Sequence, residues 1–268
     1  MVEGSRYCSV CGKEKESRFI PYINKSFYID CVCEERLKAE NTEKKRKKAI
    51  ECYINLRTKR SGVLKKEQSA SLETLTVDIN NKKAVEGARY ITELLLSDEE
   101  QPRNGLVLYG NRGSGKTYIA AAVINELNRR QPFSESVLST IIREQENGYI
   151  NDVGVSVSSA CRFIKQGDLV GLAGRYNYRD DTEPIDEFKK AKTLLVIDDV
   201  GTGYGDLQKI QSVLFSVLDY RYSEGLATII TTNLSREALQ SYLGERTYDR
   251  LRACCYFIPL TAPQSRRE

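Results

Sequence analysis

Eight residues near the middle of the chain have the types and the spacing of a phosphate-binding loop. They follow the pattern Gly-x4-Gly-Lys-Thr and are, in order, Gly110, Asn111, Arg112, Gly113, Ser114, Gly115, Lys116 and Thr117. An apolar run precedes them and an alanine-rich amphipathic stretch follows, which is the strand–turn–helix context that makes the pattern specific. Glycines let backbone N–H groups curl around a phosphate, and a helix that starts there directs its positive dipole end at the same anion. The pattern predicts a nucleotide-binding site.

The last two residues of this loop suit nucleotide chemistry in particular. Lys116 would add a point charge for the β- and γ-phosphates, and the hydroxyl of Thr117 could ligate Mg²⁺. The alternative is an ordinary glycine-rich turn between a strand and a helix, which requires neither side chain. ATP and Mg²⁺ are therefore the expected ligands of residues 110–117.

Two later stretches carry groups that could complete a hydrolytic site. An apolar run, residues 194–197, ends in Asp198 and Asp199 about 80 residues beyond the loop. Asp198 is placed to hold Mg²⁺, directly or through water, and Asp199 could orient and polarise the attacking water. Another apolar run ends at Asn233, whose amide offers a donor and an acceptor for positioning that water. Together with the loop, these residues predict hydrolysis of ATP.

Four of the eight cysteines lie close together near the N-terminus. Cys8 and Cys11 form a Cys-x2-Cys-Gly knuckle, and Cys31 and Cys33 form a tighter Cys-x-Cys pair. Four thiolates can make a closed tetrahedral Zn²⁺ site, which is structural rather than catalytic. The alternative is a set of reduced cysteines without metal. Because the chain contains no histidine, a mixed Cys/His site is excluded.

The distribution of charge divides the chain. Up to Lys66 there are 17 Lys and Arg against 9 Asp and Glu, whereas the whole chain of 268 residues has a net charge of +4. A basic N-terminal third followed by an acidic body points to a polyanion or an acidic protein partner at that end. No apolar run approaches the roughly 20 residues of a membrane helix. The chain is predicted to be cytoplasmic, without a signal peptide or a membrane partner.

The order of the predicted elements indicates the fold class. Nearly all-apolar strands alternate with amphipathic helices, which is typical of a parallel sheet covered on both faces and hence of an α/β fold. A hairpin is expected between the two cysteine pairs. Strands are predicted at 105–109, 153–157, 193–197, 227–231 and 255–258, and helices at 34–58, 82–96, 117–127, 137–144, 159–172, 207–222 and 236–243.

Three segments are predicted from these patterns: a cysteine-rich zinc-binding module (1–35), a basic helical linker (36–70) and an ATPase domain (71–268). The run of five basic residues at 44–48 could grip phosphates, or it could be the solvated face of a helical linker.

Residues from about 72 onward resemble the AAA+ domain of bacterial and phage replicative-helicase loaders of the DnaC/DnaI type, and of the related IstB-type transposition ATPases. The resemblance lies in residues 110–117, 194–201, 231–234 and 243–251. It implies a parallel P-loop sheet flanked by helices. These families usually lack a helical lid, and only about ten residues follow the last predicted strand, so no lid is expected.

The resemblance also implies a role for each matching residue. The resemblance implies that Lys116 and Thr117 belong to the Walker A motif and that Asp198 and Asp199 are the Walker B acids. It also implies that Asn233 is sensor 1 and that Arg250 is the arginine finger, with Arg246 in the same box. A sensor 2-like arginine could be Arg266. The N-terminal ribbon resembles the zinc-bearing, helicase-contacting domain of the DnaI branch, from which it departs in having no histidine.

The function implied is ATP-dependent loading of the replicative hexameric helicase onto single-stranded DNA, by chains that self-associate through their AAA+ domains. Basal turnover would be slow, because the finger of one protomer must reach the nucleotide of the next. A basic aromatic loop, residues 175–179, could stack on bases of that DNA or be a plain surface loop. Two alternatives stay open: an IstB-type ATPase that assists a DNA transposase, and a non-hydrolysing adaptor that holds the helicase.

Overall fold

The computed structural model describes residues 2–3, 5–97, 99, 101–148, 160–174, 185–202 and 205–262. Contacts divide the chain into two units. The first is Met1–Tyr53 with Phe133–Val155, and the second is Ile54–Pro132 with Ser156–Glu268. The three segments predicted from the sequence follow motifs rather than contacts, and their boundaries stay a prediction.

The first unit begins with a small sheet. Its strands are β1 (Val2–Glu3), β2 (Ser17–Ile20) and β3 (Lys25–Tyr28), in the order β1-β3-β2. Strands β2 and β3 form an antiparallel hairpin in which Phe19 pairs with Ser26. The expected hairpin between the cysteine pairs is thus confirmed. All four residues of β2 are exposed, so the hairpin has no apolar core of its own.

A helical pair completes this unit. Helix α1 (Val32–Ser61) contains the predicted helix 34–58, and its residues up to Tyr53 belong to the first unit. A second helix of this unit is α4 (Glu135–Glu146). The ring of Phe133, just before it, makes an edge-to-face contact with Tyr53 of α1. Arg46 bonds both carboxylate oxygens of Glu135. Arg46 of the basic run is therefore paired with an acidic side chain of the same unit, at the surface.

The second unit is built on a five-stranded sheet. Its strands are β4 (Gly105–Tyr109), β5 (Cys161–Lys165), β6 (Leu194–Val200), β7 (Ala227–Thr232) and β8 (Cys255–Pro259). Their order is β5-β6-β7-β4-β8, and every neighbouring pair is parallel. The α/β class and the parallel sheet are confirmed. Because parallel strands all end at one edge, β4, β6 and β7 bring their C-terminal residues together.

Helices cover both faces of this sheet. They are α2 (Lys82–Leu96), α3 (Lys116–Arg130), α5 (Gln166–Ala173), α6 (Asp186–Lys189), α7 (Leu207–Ser223), α8 (Arg236–Leu243) and α9 (Glu245–Cys254). Helices α2 and α3 pack on the face that contains Leu106 and Leu108, whereas Val107 points to the cluster of α5 and α7–α9. This alternation is the period of two expected for a strand buried on both sides. Among the described residues no helix follows β8.

One predicted element is wrong. The sequence pattern predicts a single helix over 159–172, but Cys161–Lys165 is the edge strand β5 and only Gln166–Ala173 is helical. Cys161 and Phe163 are buried and pair with β6, so contacts between strands distant in sequence decide the conformation. The strand expected at 153–157 lies outside the described residues. In the described parts of the chain, no helix is both long enough and apolar enough to cross a membrane.

A buried arginine joins α7 to the start of β7. Arg221 is 1% exposed, and burial lowers its pKa to about 10, which leaves it charged at neutral pH. It donates hydrogen bonds to the hydroxyl of Thr228 and to the backbone carbonyls of Phe188, Lys189, Ala191 and Ala227. Four of these hydrogen bonds are buried and the one to Lys189 is partly buried, so the guanidinium is the partner of these acceptors in the folded state.

Replacement of Arg221 by leucine leaves several buried carbonyls without a donor, and we expect a loss of about 3 kcal/mol or more in the free energy of unfolding. Urea denaturation measures it. Arg252→Leu is the matched control, because that side chain is 61% exposed and has one ion pair at 3.5 Å. This substitution should change the free energy of unfolding by no more than about 0.5 kcal/mol. Equal effects of the two substitutions would contradict a structural role for Arg221.

Candidate nucleotide site and cysteine cluster

The phosphate-loop residues form the turn between β4 and α3. Gly110 has φ 142°, and a Cβ built on it would lie 2.2 Å from the carbonyl oxygen of Leu260. Gly115 has φ 97° and immediately precedes the helix. Side chains are therefore excluded at the first position by a neighbouring backbone and at the second by conformation. The turn is open to an anion at the N-terminus of α3, as the sequence predicts.

Lys116 is the first residue of α3 and is buried. Its ammonium donates to the carbonyl oxygens of Gly110 at 3.0 Å and Asn111 at 2.7 Å, and to the hydroxyl of Ser114 at 3.2 Å. The charge is thus held inside the curl of the loop. A phosphate bound there would meet this ammonium together with the N–H groups of the turn.

Asp198 and Thr117 meet across the sheet edge. The Thr117 hydroxyl donates to Oδ1 of Asp198 at 2.9 Å, and the hydroxyl of Thr231 donates to the same oxygen at 2.6 Å. Within the described residues, the other oxygen, Oδ2, is buried without a hydrogen-bond partner. Burial raises the pKa of Asp198, a shift that the Thr231 hydroxyl opposes. A buried carboxylate oxygen and a hydroxyl side by side are ligands that fit Mg²⁺.

Asp199 and Asn233 line the cavity in front of the loop. This cavity has a volume of about 310 Å³ and is also lined by residues 113–118. Asp199 has φ 57°, a left-handed conformation that is uncommon for a residue with a side chain. The structure thus brings both predicted water-positioning residues to the predicted phosphate site. Asn233 also lines a second cavity, of about 540 Å³, together with Asn111 and Arg112.

The loop is also tied to the residues that follow β8. The Nδ2 of Asn111 donates to the carbonyl of Ala262 at 2.6 Å, and its Oδ1 accepts from the N–H of Ala262 at 3.0 Å. Asn111 occupies a variable position of the motif, so sequence reasoning did not assign it a particular contact. Its amide holds the end of the described chain beside the phosphate site.

Two residues that the sequence did not indicate, Lys66 and Glu67, also line the 310 Å³ cavity. They belong to a segment whose carbonyls at Glu67 and Ala70 accept hydrogen bonds from Nδ2 of Asn125, at 3.0 and 2.9 Å. Asn125 lies on α3, so this helix positions the segment beside the loop. In the sequence this segment falls at the end of the predicted basic helical linker, residues 36–70, and carries no motif that indicates a contact with the loop.

Arg250 lies on α9 and does not line the phosphate-loop cavity among the described residues. Its Nε bonds the carboxylate of Asp219, and its guanidinium carbon lies 5.1 Å from the ring centre of Phe215 and 5.9 Å from that of Tyr222. Arg246, one turn earlier on the helix, is exposed. Arg250 is therefore held by α7 of its own chain and is not brought to its own nucleotide site.

The cysteine cluster is brought together in the first unit. The Sγ atoms of Cys8, Cys11 and Cys31 lie within 4.8 Å of one another, with Cys8–Cys31 at 3.0 Å and Cys11–Cys31 at 3.8 Å. Cys33 hydrogen-bonds with Cys11 and Cys31, and these bonds raise the pKa of its thiol to about 11. Tetrahedral Zn²⁺ with Zn–S bonds of about 2.3 Å requires sulfurs about 3.8 Å apart. The donor set and its spacing fit a thiolate-bound metal ion.

A carboxylate that sequence reasoning missed joins the two knuckles. Glu34 accepts hydrogen bonds from the N–H of Ser9 at 3.0 Å and of Cys31 at 3.4 Å, and it pairs with Lys15 at 2.7 Å. The bond from Lys15 is the main cause that lowers the pKa of Glu34 to about 2. In the first knuckle, the N–H of Cys11 also donates to Sγ of Cys8 at 3.3 Å.

Residues 106–253 match the model of the ATPase family associated with various cellular activities (AAA). This match covers more than half of the chain, which therefore belongs to the AAA family. The chain accordingly carries an ATPase domain, and family membership implies a nucleotide ligand, usually with Mg²⁺.

The chain is further similar to the replicative helicase loader DnaI of Bacillus subtilis (strain 168), with 26% identity over 168 residues. The match covers 62% of this chain and 45% of that protein, so the matched region spans less than half of the relative's length. A solved structure of DnaI has 25% identity and a TM-score of 0.55, covering 76% of this chain and 94% of that one. The DnaC helicase loader shares the fold, with 21% identity and a TM-score of 0.55, covering 74% of this chain and 100% of that one. The resemblance to the DnaC/DnaI type is confirmed.

Two residue assignments lie outside the described residues. They are the basic aromatic loop at 175–179 and the sensor 2-like Arg266.

Proposed function

We propose that this chain uses ATP to load a ring-shaped replicative helicase onto single-stranded DNA. The observation that carries the proposal is the similarity of this chain to the DnaI loader. This chain also has a phosphate loop whose cavity is lined by Asp199, and Thr117 of that loop bonds Asp198. The AAA domain alone would not select this client, because one fold serves many functions.

In this proposal the phosphates of ATP bind the N–H groups of residues 110–117 and the ammonium of Lys116. Thr117 and Oδ2 of Asp198 would hold Mg²⁺, which would neutralise charge on the phosphates. Asp199 accepts a hydrogen bond from the attacking water, and Asn233 orients that water from the neighbouring strand. The shared cavity of Asp199, Asn233 and the loop supports these roles.

We assign the transition-state arginine to Arg250 of a neighbouring copy. Arg250 is absent from the lining of its own phosphate-loop cavity, which is the arrangement expected of a residue that acts in trans. Asp219, Phe215 and Tyr222 hold it in the free chain. Self-association must therefore exchange these contacts for the nucleotide of the adjacent protomer, and turnover of the isolated chain is expected to be slow.

A mixing experiment tests this assignment. Arg250→Ala and Asp199→Asn should each lower the ATPase rate at least ~100-fold, since one lacks the finger and the other the water-positioning acid. Mixing them should restore activity, because an Arg250→Ala protomer keeps an intact site that an Asp199→Asn neighbour can complete. Arg252→Ala is the control and should hydrolyse like wild type. A mixture no more active than its components would exclude a finger in trans.

We propose that the first unit contacts the helicase. Its hairpin region exposes large apolar side chains, of which Tyr22 is 96% exposed and Phe19 is 54% exposed. Exposed apolar groups clustered on so small a module are typical of a protein-binding surface. Zn²⁺ held by Cys8, Cys11, Cys31 and Cys33 would stabilise this module, which has too small a core to stabilise itself.

Freshly purified, reduced protein should contain about one zinc per chain. Glu34→Gln should release the metal to a chromogenic chelator roughly 10–100 times faster, because a hydrogen-bonded carboxylate beside the ligands is lost. Glu35→Gln, an exposed neighbour, is the matched control and should release it at the wild-type rate. Metal analysis giving well under one zinc per chain would remove the zinc proposal.

Native mass spectrometry tests the client directly. The protein is mixed with its host's replicative helicase, ATP and Mg²⁺, and we expect a helicase hexamer that carries several copies of this chain. Tyr22→Ser should reduce the occupancy without changing the ATPase rate, since Tyr22 is in the first unit. If the two proteins stay apart while this chain assembles on duplex DNA, the transposition ATPase is the better function. Binding with no turnover above that of Asp199→Asn would indicate the adaptor.

A further inference from the structure

The two acids lie at an irregularity in the sheet. In the pairing of β6 with β7, Ile197 is opposite Ile230 and Val200 is opposite Thr232, with a register shift between them. Two residues of β6, Asp198 and Asp199, therefore face one residue of β7, Thr231. A bulge of this kind removes regular ladder hydrogen bonds and redirects side chains, and bulges are frequent beside active sites.

The side chain of Thr231 supplies hydrogen bonds in place of the ladder bonds that the bulge removes. Thr231 is fully buried. Its Oγ1 accepts the N–H of Asp199 at 3.0 Å and donates to Oδ1 of Asp198 at 2.6 Å. A hydroxyl has one proton to donate and lone pairs to accept with, so a single threonine bonds the carboxylate of Asp198 and the backbone N–H of Asp199 at once. Valine has the same shape and can make neither bond.

These bonds determine which oxygen of Asp198 is left without a partner and help to hold the backbone conformation of Asp199. The hydroxyls of Thr231 and Thr117 both occupy Oδ1 of Asp198, which leaves Oδ2 as the oxygen without a partner among the described residues. Asp199 has φ 57°, a conformation that persists only where surrounding contacts hold it. The bond from its N–H to Thr231 is such a contact.

We infer that Thr231 is a positioning residue for ATP hydrolysis, which aims Oδ2 of Asp198 at the metal position and the carboxylate of Asp199 at the attacking water. The inference rests on the roles proposed above for these two acids. Thr231 itself touches neither water nor nucleotide in this assignment, and it acts through the carboxylates that it orients. Asn233, two residues further, keeps its separate role.

Thr228 provides a matched control on the same strand. It is also a buried threonine, 3% exposed, and its Oγ1 accepts a hydrogen bond from Arg221 at 3.0 Å. It lies at the start of β7, whereas the acids face the end of that strand. Thr228→Val therefore removes a buried hydroxyl with a similar structural cost and no contact with an acid.

The experiment compares wild type with Thr231→Val, Thr231→Ser and Thr228→Val in the full chain. We expect Thr231→Val to lower kcat roughly 10–100-fold with KM for ATP within about threefold of wild type, because phosphate contacts are kept while the acids lose their orientation. The Mg²⁺ concentration needed for half-maximal rate should rise severalfold. Thr231→Ser should recover most of the rate, and Thr228→Val should keep kcat within about threefold.

A second measurement decides the inference independently of turnover. Binding of a fluorescent ATP analogue is titrated with Mg²⁺ or with EDTA. Mg²⁺ should increase the affinity for the analogue in Thr231→Ser and Thr228→Val, as in wild type. This increase should be lost in Thr231→Val. Wild-type behaviour of Thr231→Val in both assays, or equal losses in Thr231→Val and Thr228→Val, would overturn the inference. Hydrolysis of ATP by Lys116→Ala at the wild-type rate would contradict the proposed ATPase site rather than the role of Thr231. The Mg²⁺ titration would still test Thr231 in that case.

Discussion

The hydrogen bond from the Thr117 hydroxyl to Asp198 is the contact on which the nucleotide site depends. It joins the first turn of α3 to the end of β6, although β4 and β6 are not neighbours in the sheet. Strand β7 lies between them and supplies Thr231 to the same carboxylate. A parallel sheet makes this possible, because its strands deliver polar C-terminal residues to one edge while their apolar bodies stay buried.

The parts of this site that could be predicted are those with a local signature. The loop residues, the acids after an apolar strand and the polar end of β7 each follow from spacing and from the apolar run before them. The presence of Lys66 beside the loop could not be predicted, since Asn125 on a distant helix positions its segment. The prediction of a helix over Cys161–Lys165 was wrong for the same reason, because the pairing of this strand with β6 outweighs its local sequence pattern.

The first unit shows the same division between local pattern and long-range contact. Cysteine spacing predicted which four thiols come together, and three of them lie within 4.8 Å. Spacing did not reveal Glu34, whose carboxylate bonds the backbone of both knuckles from the first turn of α1. A carboxylate there also faces the positive end of the helix dipole. The helix is therefore attached to the cysteine cluster by charge as well as by chain connection.

The contacts of Arg250 bear on the proposal that assembly completes the site. Its ion pair with Asp219 is about one-third exposed, and such pairs contribute up to about 1 kcal/mol. Two ring contacts add about 0.5–1 kcal/mol each. A γ-phosphate in a closed interface between subunits offers an arginine a stronger, charge-assisted partner, because water is excluded there. The contacts within one chain are thus strong enough to keep the arginine ordered in the free protein and weak enough to be exchanged. That balance would link hydrolysis to the state of assembly rather than to the nucleotide alone.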